Sequence, residues 1–300
     1  MWVRNFLSIT KPGIIFGNLI TVIGGFLLAA RGQVNYLLFI MTLIGISLTV
    51  ASGCVINNYI DRDIDRLMER TKNRVLALGL MSNTVALLYG GVLGAVGLLL
   101  LMSFTNLLTT TIAFIGLVVY VVIYSLWLKR TSVYGTLVGS ISGAVPPVVG
   151  YCAVRGKIDL GACILFLVLC LWQMPHSFAI AIYRYSDYAR ASIAILPVKK
   201  GIYWTKICIL LYIIGFVIAS LLLTFCGYTG YIYLGVMLVM GIYWIKLATM
   251  GFKQHDDRIW ARKIFIFSIL IIMIFSVMMS INYLAPDRKH SNPCIDKRYK

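Results

Sequence analysis

Apolar residues along this chain run in long blocks rather than alternating in a two- or three-residue rhythm. A helix needs roughly 20 mostly apolar residues to cross a bilayer core. Nine blocks meet that length, at approximately 14–30, 36–57, 84–103, 107–127, 135–153, 160–182, 206–226, 230–250 and 264–284. Several are rich in β-branched residues, as at Leu117–Val122. Backbone groups in lipid must be satisfied within the segment, so helix is predicted there too. A membrane β-barrel would show alternation over about ten residues, and this pattern is missing. The expected fold class is therefore all-α: a polytopic membrane protein with about nine transmembrane helices.

Composition agrees. Of 300 residues, 60% are hydrophobic and 12% charged, with mean hydropathy +0.90. Soluble domains sit near 45–50% apolar and about 25% charged. The formal charge of +17 would point to nucleic acid in a soluble protein, but here its placement matters more than its total. With a cytoplasmic N-terminus, the inner segments carry eighteen Lys and Arg residues, from Arg4 and Lys11 to Arg262 and Lys263. The outer loops carry Arg31, Arg155 and Lys157. That asymmetry follows the positive-inside rule and predicts an integral membrane protein with no nucleic-acid role. Nine spans leave the basic stretch 285–300 on the outer side, against the rule. Residues 1–286 are expected to form one transmembrane domain and 287–300 a polar basic tail. The first residues show no Arg- and Ser-rich leader, so the first span is expected to stay. Seven cysteines show no CxxC pair, and six of them lie in or beside apolar spans, where Cys behaves as a small hydrophobe.

The long polar connections, 58–83, 183–205 and 251–263, fall on the inner side, which places a site opening there. Within the first of these, Asn57, Asp61 and Asp65 are spaced i, i+4, i+8 and would share a helix face, neighbours roughly 5–6 Å apart. Two aspartates there repel unless a cation intervenes, and an Asp at the end of an apolar helix carries a desolvation cost. Both favour a divalent metal such as Mg²⁺, held by one or two carboxylates together with substrate phosphates. The bland alternative is a solvated loop whose aspartates pair with Arg62, Arg66 and Arg70. Asp63 points off the shared face. Next comes Glu69-Arg70-Thr71-Lys72-Asn73-Arg74; Arg70 and Arg74 are i, i+4 if helical, and guanidinium forks suit phosphate oxygens. A second cluster, Tyr183-Arg184-Tyr185-Ser186-Asp187-Tyr188, ends the sixth span. Lys129 and Arg130 lie on the same side and could add phosphate contacts. His176, beside Pro175 inside a span, is either a packed residue or a functional one. Gly135, Gly139 and Gly143, and likewise Gly90 and Gly94, make close-packing faces, and Pro146-Pro147 should break the fifth helix.

These residues carry a resemblance. Asn57-Asn58-x-x-Asp61-x-x-x-Asp65 resembles the first acidic motif of the UbiA-type intramembrane prenyltransferases, which usually have Asp where Asn58 stands. The Asn-Asn form, with Arg70-Thr-Lys-Asn-Arg74, Leu128-Lys-Arg-Thr131, Gly143-Ala-Val-Pro-Pro147, Trp172-Gln-Met-Pro-His176, Tyr183-Arg-x-x-Asp187-Tyr188, Leu196-Pro-Val198 and Trp260-Ala-Arg-Lys-Ile-Phe265, is similar to the haem-farnesylating branch of that family. The match runs from about residue 10 to 285. It implies nine helices around a central cavity, in a bacterial inner membrane. It also implies farnesyl diphosphate as donor, haem B as acceptor and haem O, the farnesylated and hydrated product, with Mg²⁺ as cofactor. It implies that Asp61, Asp65 and Asp187 hold metal through the diphosphate, with Asn57 and Asn58 beside them. Arg70, Lys72, Arg74, Lys129 and Arg130 would bind or balance phosphate, and His176, Tyr183 and Arg184 would help bind substrate. Contact with enzymes that assemble haem-using oxidases is a further expectation. Tyr183 stands where the wider family has an acidic residue, and Ser177 where this branch commonly has an aromatic one. The alternatives weighed are prenylation of an aromatic quinone precursor and, distantly, a transporter. A transporter's charges should sit near the bilayer midplane, and these sit at helix ends.

Overall fold

A computed structural model describes residues 2–284, so the basic tail expected at 287–300 lies outside the described residues. In chain order the elements are α1 (Trp2–Ile9), α2 (Pro12–Ala30), α3 (Tyr36–Ile60), α4 (Arg62–Leu67), α5 (Asn83–Phe104) and α6 (Leu107–Val118). A π-helical segment, Val119–Leu128, continues α6 into α7 (Lys129–Thr131). Then follow α8 (Gly135–Gly143), α9 (Val145–Arg155), α10 (Leu160–Tyr183), α11 (Tyr185–Arg190), α12 (Leu196–Lys200), α13 (Ile202–Phe225), α14 (Tyr231–Met250) and α15 (Asp257–Ile281). Among the described residues these give nine stretches long and apolar enough to cross a membrane.

The spans match the hydropathy blocks with two instructive differences. α13 and α15 begin at Ile202 and Asp257, four and seven residues before the apolar runs start. The two extensions brace each other: Lys206 of α13 is buried, donates to Gly251 O at 2.7 Å and pairs with Asp257 at the start of α15. Asp256 caps α15 by accepting from the backbone of Arg258 at 2.9 Å and Ile259 at 3.0 Å. The fourth span was expected to be α-helical throughout, yet its second half is π-helical. Val118, Val119, Val121, Val122 and Ile123 crowd the preceding turn of an α-helix, and a wider turn relieves that crowding. Such segments recur at functional sites.

Where helices cross, glycine lets backbones touch. A Cβ on Gly150 would stand 2.3 Å from the Val22 carbonyl oxygen, and one on Gly25 would stand 2.2 Å from that of Pro147. These two positions lock α2 against α9. The fifth span breaks between Gly143 and Val145, as Pro146-Pro147 predicts. The largest apolar cluster joins α10, α13, α14 and α15 around Trp244, Trp260, Phe216 and Phe275. A smaller one joins Ile64 and Met68 to Ala181, Ala191, Ile193 and Ile195. It docks the loop after α3 onto the loop after α10, and so brings the two acidic motifs to one end of the bundle.

Candidate active site

The first motif keeps its shared face although α3 stops at Ile60. The backbone N–H of Asp61 still donates to Asn57 O at 2.9 Å, and that of Asp65 to Asp61 O at 2.8 Å. Asn57, Asp61 and Asp65 are all buried. Asn57 is the hub. Its side-chain oxygen accepts from Lys11 Nζ at 2.6 Å, and its amide donates to Asp61 Oδ2 at 2.8 Å and Ser125 Oγ at 3.1 Å. Lys129 Nζ closes on Asp61 Oδ2 from the other side. Asp65 is held by Arg74 Nη1, at 2.9 and 2.8 Å to its two oxygens.

The cations facing these aspartates therefore differ from the solvated-loop alternative. Arg62 donates to the Tyr59 carbonyl and Arg66 to the Ala77 carbonyl. Arg74 pairs with Asp65 from a run of turns rather than from a helix, so the i, i+4 relation of Arg70 and Arg74 does not form. The two buried carboxylates are neutralised by Arg74 and Lys129 of the protein itself. Among the described residues no three carboxylate, His or Cys side chains converge into a metal cage. One oxygen, Asp61 Oδ1, is buried without a hydrogen-bond partner. A hard divalent cation that takes few protein ligands and several substrate oxygens fits this arrangement; an all-protein site does not.

The second motif joins the same end. Asp187 is buried. Its Oδ1 accepts from the Glu69 backbone N–H at 3.1 Å and lies 3.8 Å from Arg190. Tyr188, whose hydroxyl is pushed up chiefly by burial, lies within the fields of Tyr124, Arg70, Lys129 and Arg74. The loops 61–79 and 184–200 thus pack together at the end of the bundle where Asp61 and Asp65 sit with Lys11, Arg74 and Lys129, a region called the basin. Burial, then the neighbouring Arg74, lowers the Lys11 ammonium to about 8. Lys11 itself takes the left-handed backbone conformation, φ 53°, which turns it in beneath α3.

Other expected residues stand elsewhere. Arg130 turns away from the basin. It grips Asp63 with two 2.6 Å bonds and also donates to Ile60 O, and this grip lowers the Asp63 carboxyl to about 2. Asn58 donates to Ile9 O at 2.7 Å and so ties α1 to α3. Lys72 pairs with Glu69 at the surface. Tyr183 lies between Arg184 and Arg258, 4.7 and 5.5 Å from its ring centre.

Above the basin, α10 changes its accessible side. In its first half Leu160, Cys163 and Leu167 are exposed; in its second, Gln173, His176, Ser177, Ile180 and Arg184 keep partial access. At about 100° per residue the second set is turned by roughly a third of a revolution from the first. It faces inward, where a Cβ on Gly143 of α8 would collide with Gln173 and where His176 Nδ1 lies 2.7 Å from Ser268 Oγ of α15. Ser268 gives its own proton to Phe265 O at 2.6 Å. With the Ser268 proton on Phe265 O, the neutral imidazole is the tautomer that donates from Nδ1 and keeps its lone pair at Nε2. Trp172 stacks on the imidazole at 4.8 Å.

Residues 18–270 match the model of the UbiA prenyltransferase family. The chain belongs to that family. It is a membrane-embedded UbiA prenyltransferase. It is 60% identical over 287 residues to the protoheme IX farnesyltransferase of Sodalis glossinidius (strain morsitans), covering 95% of this chain and 97% of that protein. It is 59% identical over 284 residues to the enzyme of the same name from Photorhabdus laumondii, with the same coverage. Among solved structures, a digeranylgeranylglyceryl phosphate synthase superposes with TM-score 0.78 at 21% identity, covering 93% of this chain and 98% of that one. A UbiA homologue from Archaeoglobus fulgidus bound to GPP and Mg²⁺ gives 0.70 at 14% identity over 92% of this chain and 100% of the other. Those two share the fold.

Within this UbiA prenyltransferase, reading the sequence missed two partners of Asn57, Lys11 and Ser125. Lys11 was counted only as topological charge, although Lys-Pro at the mouth of the first span was its signal. Ser125 carried none, because its contact with Asn57 spans 68 residues.

Proposed function

We propose that the protein transfers the farnesyl group of farnesyl diphosphate to a vinyl carbon of haem B, with addition of water, to give haem O. The donor half is supported by buried carboxylates at one end of the bundle: Asp61 and Asp65 beside Lys11, Arg74 and Lys129, and Asp187 on the loop that packs against theirs. The acceptor half rests on relatives near 60% identity that carry the haem farnesyltransferase name and on the inward wall of α10.

The chain's own residues divide the work. Lys11, Arg74 and Lys129 present cationic donors to the diphosphate, in a site whose low polarity strengthens them. Asp61, Asp65 and Asp187 would hold Mg²⁺ jointly with the diphosphate, and bound metal supplies Lewis-acid stabilisation of the leaving oxygen. The allylic C–O bond breaks with its electron pair leaving on diphosphate. The prenyl carbon bonds to the vinyl terminus, and water adds to the resulting cation with loss of a proton. Tyr120 and Tyr124, stacked at 5.8 Å, put aromatic faces beside the basin, where a cation is favoured. His176 offers Nε2 to the acceptor's iron, its tautomer fixed by Ser268 in the way metal-binding histidines are oriented. The basin opens to the cytoplasm of a bacterial inner membrane.

The test is extraction of haem from membranes with and without the expressed chain. The expected result is a new haem heavier by one farnesyl plus one water. Unchanged haem together with a prenylated aromatic would overturn the acceptor assignment.

A further inference from the structure

On the outer side of the Asp61-Arg62-Asp63 turn lies a second polar feature, distinct from the basin. An open cleft of about 590 Å³ is lined by Tyr59, Arg62, Asp63, Arg66, Leu126 and Arg130. It sits where α3 and the π segment both end. Three guanidinium groups face one carboxylate.

Their hydrogen-bonding capacity is far from spent. Each guanidinium carries five N–H donors. Arg62 uses one on Tyr59 O while lying 4.3 Å over the Tyr59 ring, and Arg66 uses one on Ala77 O. Arg130 is engaged with Asp63 and Ile60 O. The remaining donors open on a cleft whose far wall is apolar. Leu126 is exposed there, and Val122 and Ile115 continue an exposed apolar strip along the same helix. In a membrane-spanning helix that strip meets acyl chains. A single ligand that satisfies both halves has an anionic phosphate at the cleft and hydrocarbon along the strip.

We infer that this cleft is a binding site for an anionic phospholipid, its phosphate held by Arg62, Arg66 and Arg130 and its acyl chain lying on Leu126, Val122 and Ile115. Asp63 competes with the phosphate for Arg130. Lipid binding therefore loosens the Arg130–Asp63 pair next to Lys129, which holds Asp61. The site does not depend on which acceptor the enzyme prenylates.

Native mass spectrometry of the purified protein, exchanged into mixed phosphatidylglycerol and phosphatidylcholine, reads the retained lipid. The intact protein is expected to retain phosphatidylglycerol selectively. Arg62→Gln/Arg66→Gln should lower that retention by roughly fivefold per charge removed, while Asp63→Asn should raise it. Opposite signs separate lipid recognition from loss of folding, since a misfolded variant would move only downward. Equal retention of both lipids, or no response to either change, would overturn the inference. A parallel arm adds inorganic phosphate in neutral detergent. Stabilisation by phosphate equal to that by phosphatidylglycerol, and lost in the same arginine variant, would assign the cleft to a soluble anion and overturn the lipid.

Discussion

Replacing Asp61 by Asn separates two duties of one carboxylate. The change keeps size and an oxygen toward Asn57 but removes the charge. Asp61 is 1% exposed and faces Lys129, whose side chain is 18% exposed. Removing one partner of a fully buried ion pair costs about 3–5 kcal/mol. Lys129 keeps some access to water, so about 2 kcal/mol is the expected loss of stability. Turnover should fall further, because deleting one pre-organised electrostatic group costs roughly 10²–10³ in rate, or about 2.7–4 kcal/mol of barrier. The two effects are separable. In Asp61→Asn/Lys129→Met the orphaned ammonium is gone, so the unfolding midpoint in detergent should return toward the parent while farnesyl transfer stays below about 1% of it. Transfer is followed by mass spectrometry of extracted haem, and stability by thermal unfolding of the purified protein. If the double variant regained turnover with its stability, Asp61 would be only a counter-ion for Lys129, and its place in the reaction would be lost.

Four further outcomes follow from the same geometry. Arg74→Ala should raise the KM for the prenyl diphosphate by roughly tenfold or more, the loss of one charge-assisted contact, and leave acceptor binding nearly unchanged; steady-state kinetics with each substrate varied checks this. Lys11, lowered to about 8, loses its charge as pH rises through that value, so donor affinity should weaken between about pH 7 and 9, and Lys11→Met should flatten that limb in a binding titration. His176→Ala should abolish the spectral shift of ferric haem added to the purified enzyme, and a donor KM that moves with it would point to general collapse instead. Gly150→Ala should lower the unfolding midpoint, because its Cβ would meet the Val22 carbonyl at 2.3 Å; overpacking of this kind costs about 1–3 kcal/mol.

Hydropathy and breaker residues made most of the fold legible. Blocks long enough to span lipid have few alternatives to helix, and Pro146-Pro147 stood at the observed break. The face shared by Asn57, Asp61 and Asp65 was legible because i, i+4 spacing survives the end of α3. What stayed hidden depends on long-range placement. Lys129 and Arg130 are adjacent in sequence and both basic, yet one turns into the basin and the other toward Asp63; no spacing rule tells them apart. Asn58 reads like a site residue, but its partner is the carbonyl of Ile9, 49 residues away. The π segment was hidden because β-branched crowding lowers the preference for an α-helix without naming its replacement.

The most direct measurement is the structure of the protein with farnesyl thiodiphosphate and Mn²⁺, the latter located by its anomalous signal. The account predicts metal and diphosphate together between Asp61, Asp65 and Asp187, within hydrogen-bond reach of Lys11, Arg74 and Lys129, with the prenyl chain running toward His176. Diphosphate seated instead in the cleft of Arg62, Arg66 and Arg130, with the three aspartates still tied to their own lysine and arginines, would contradict it.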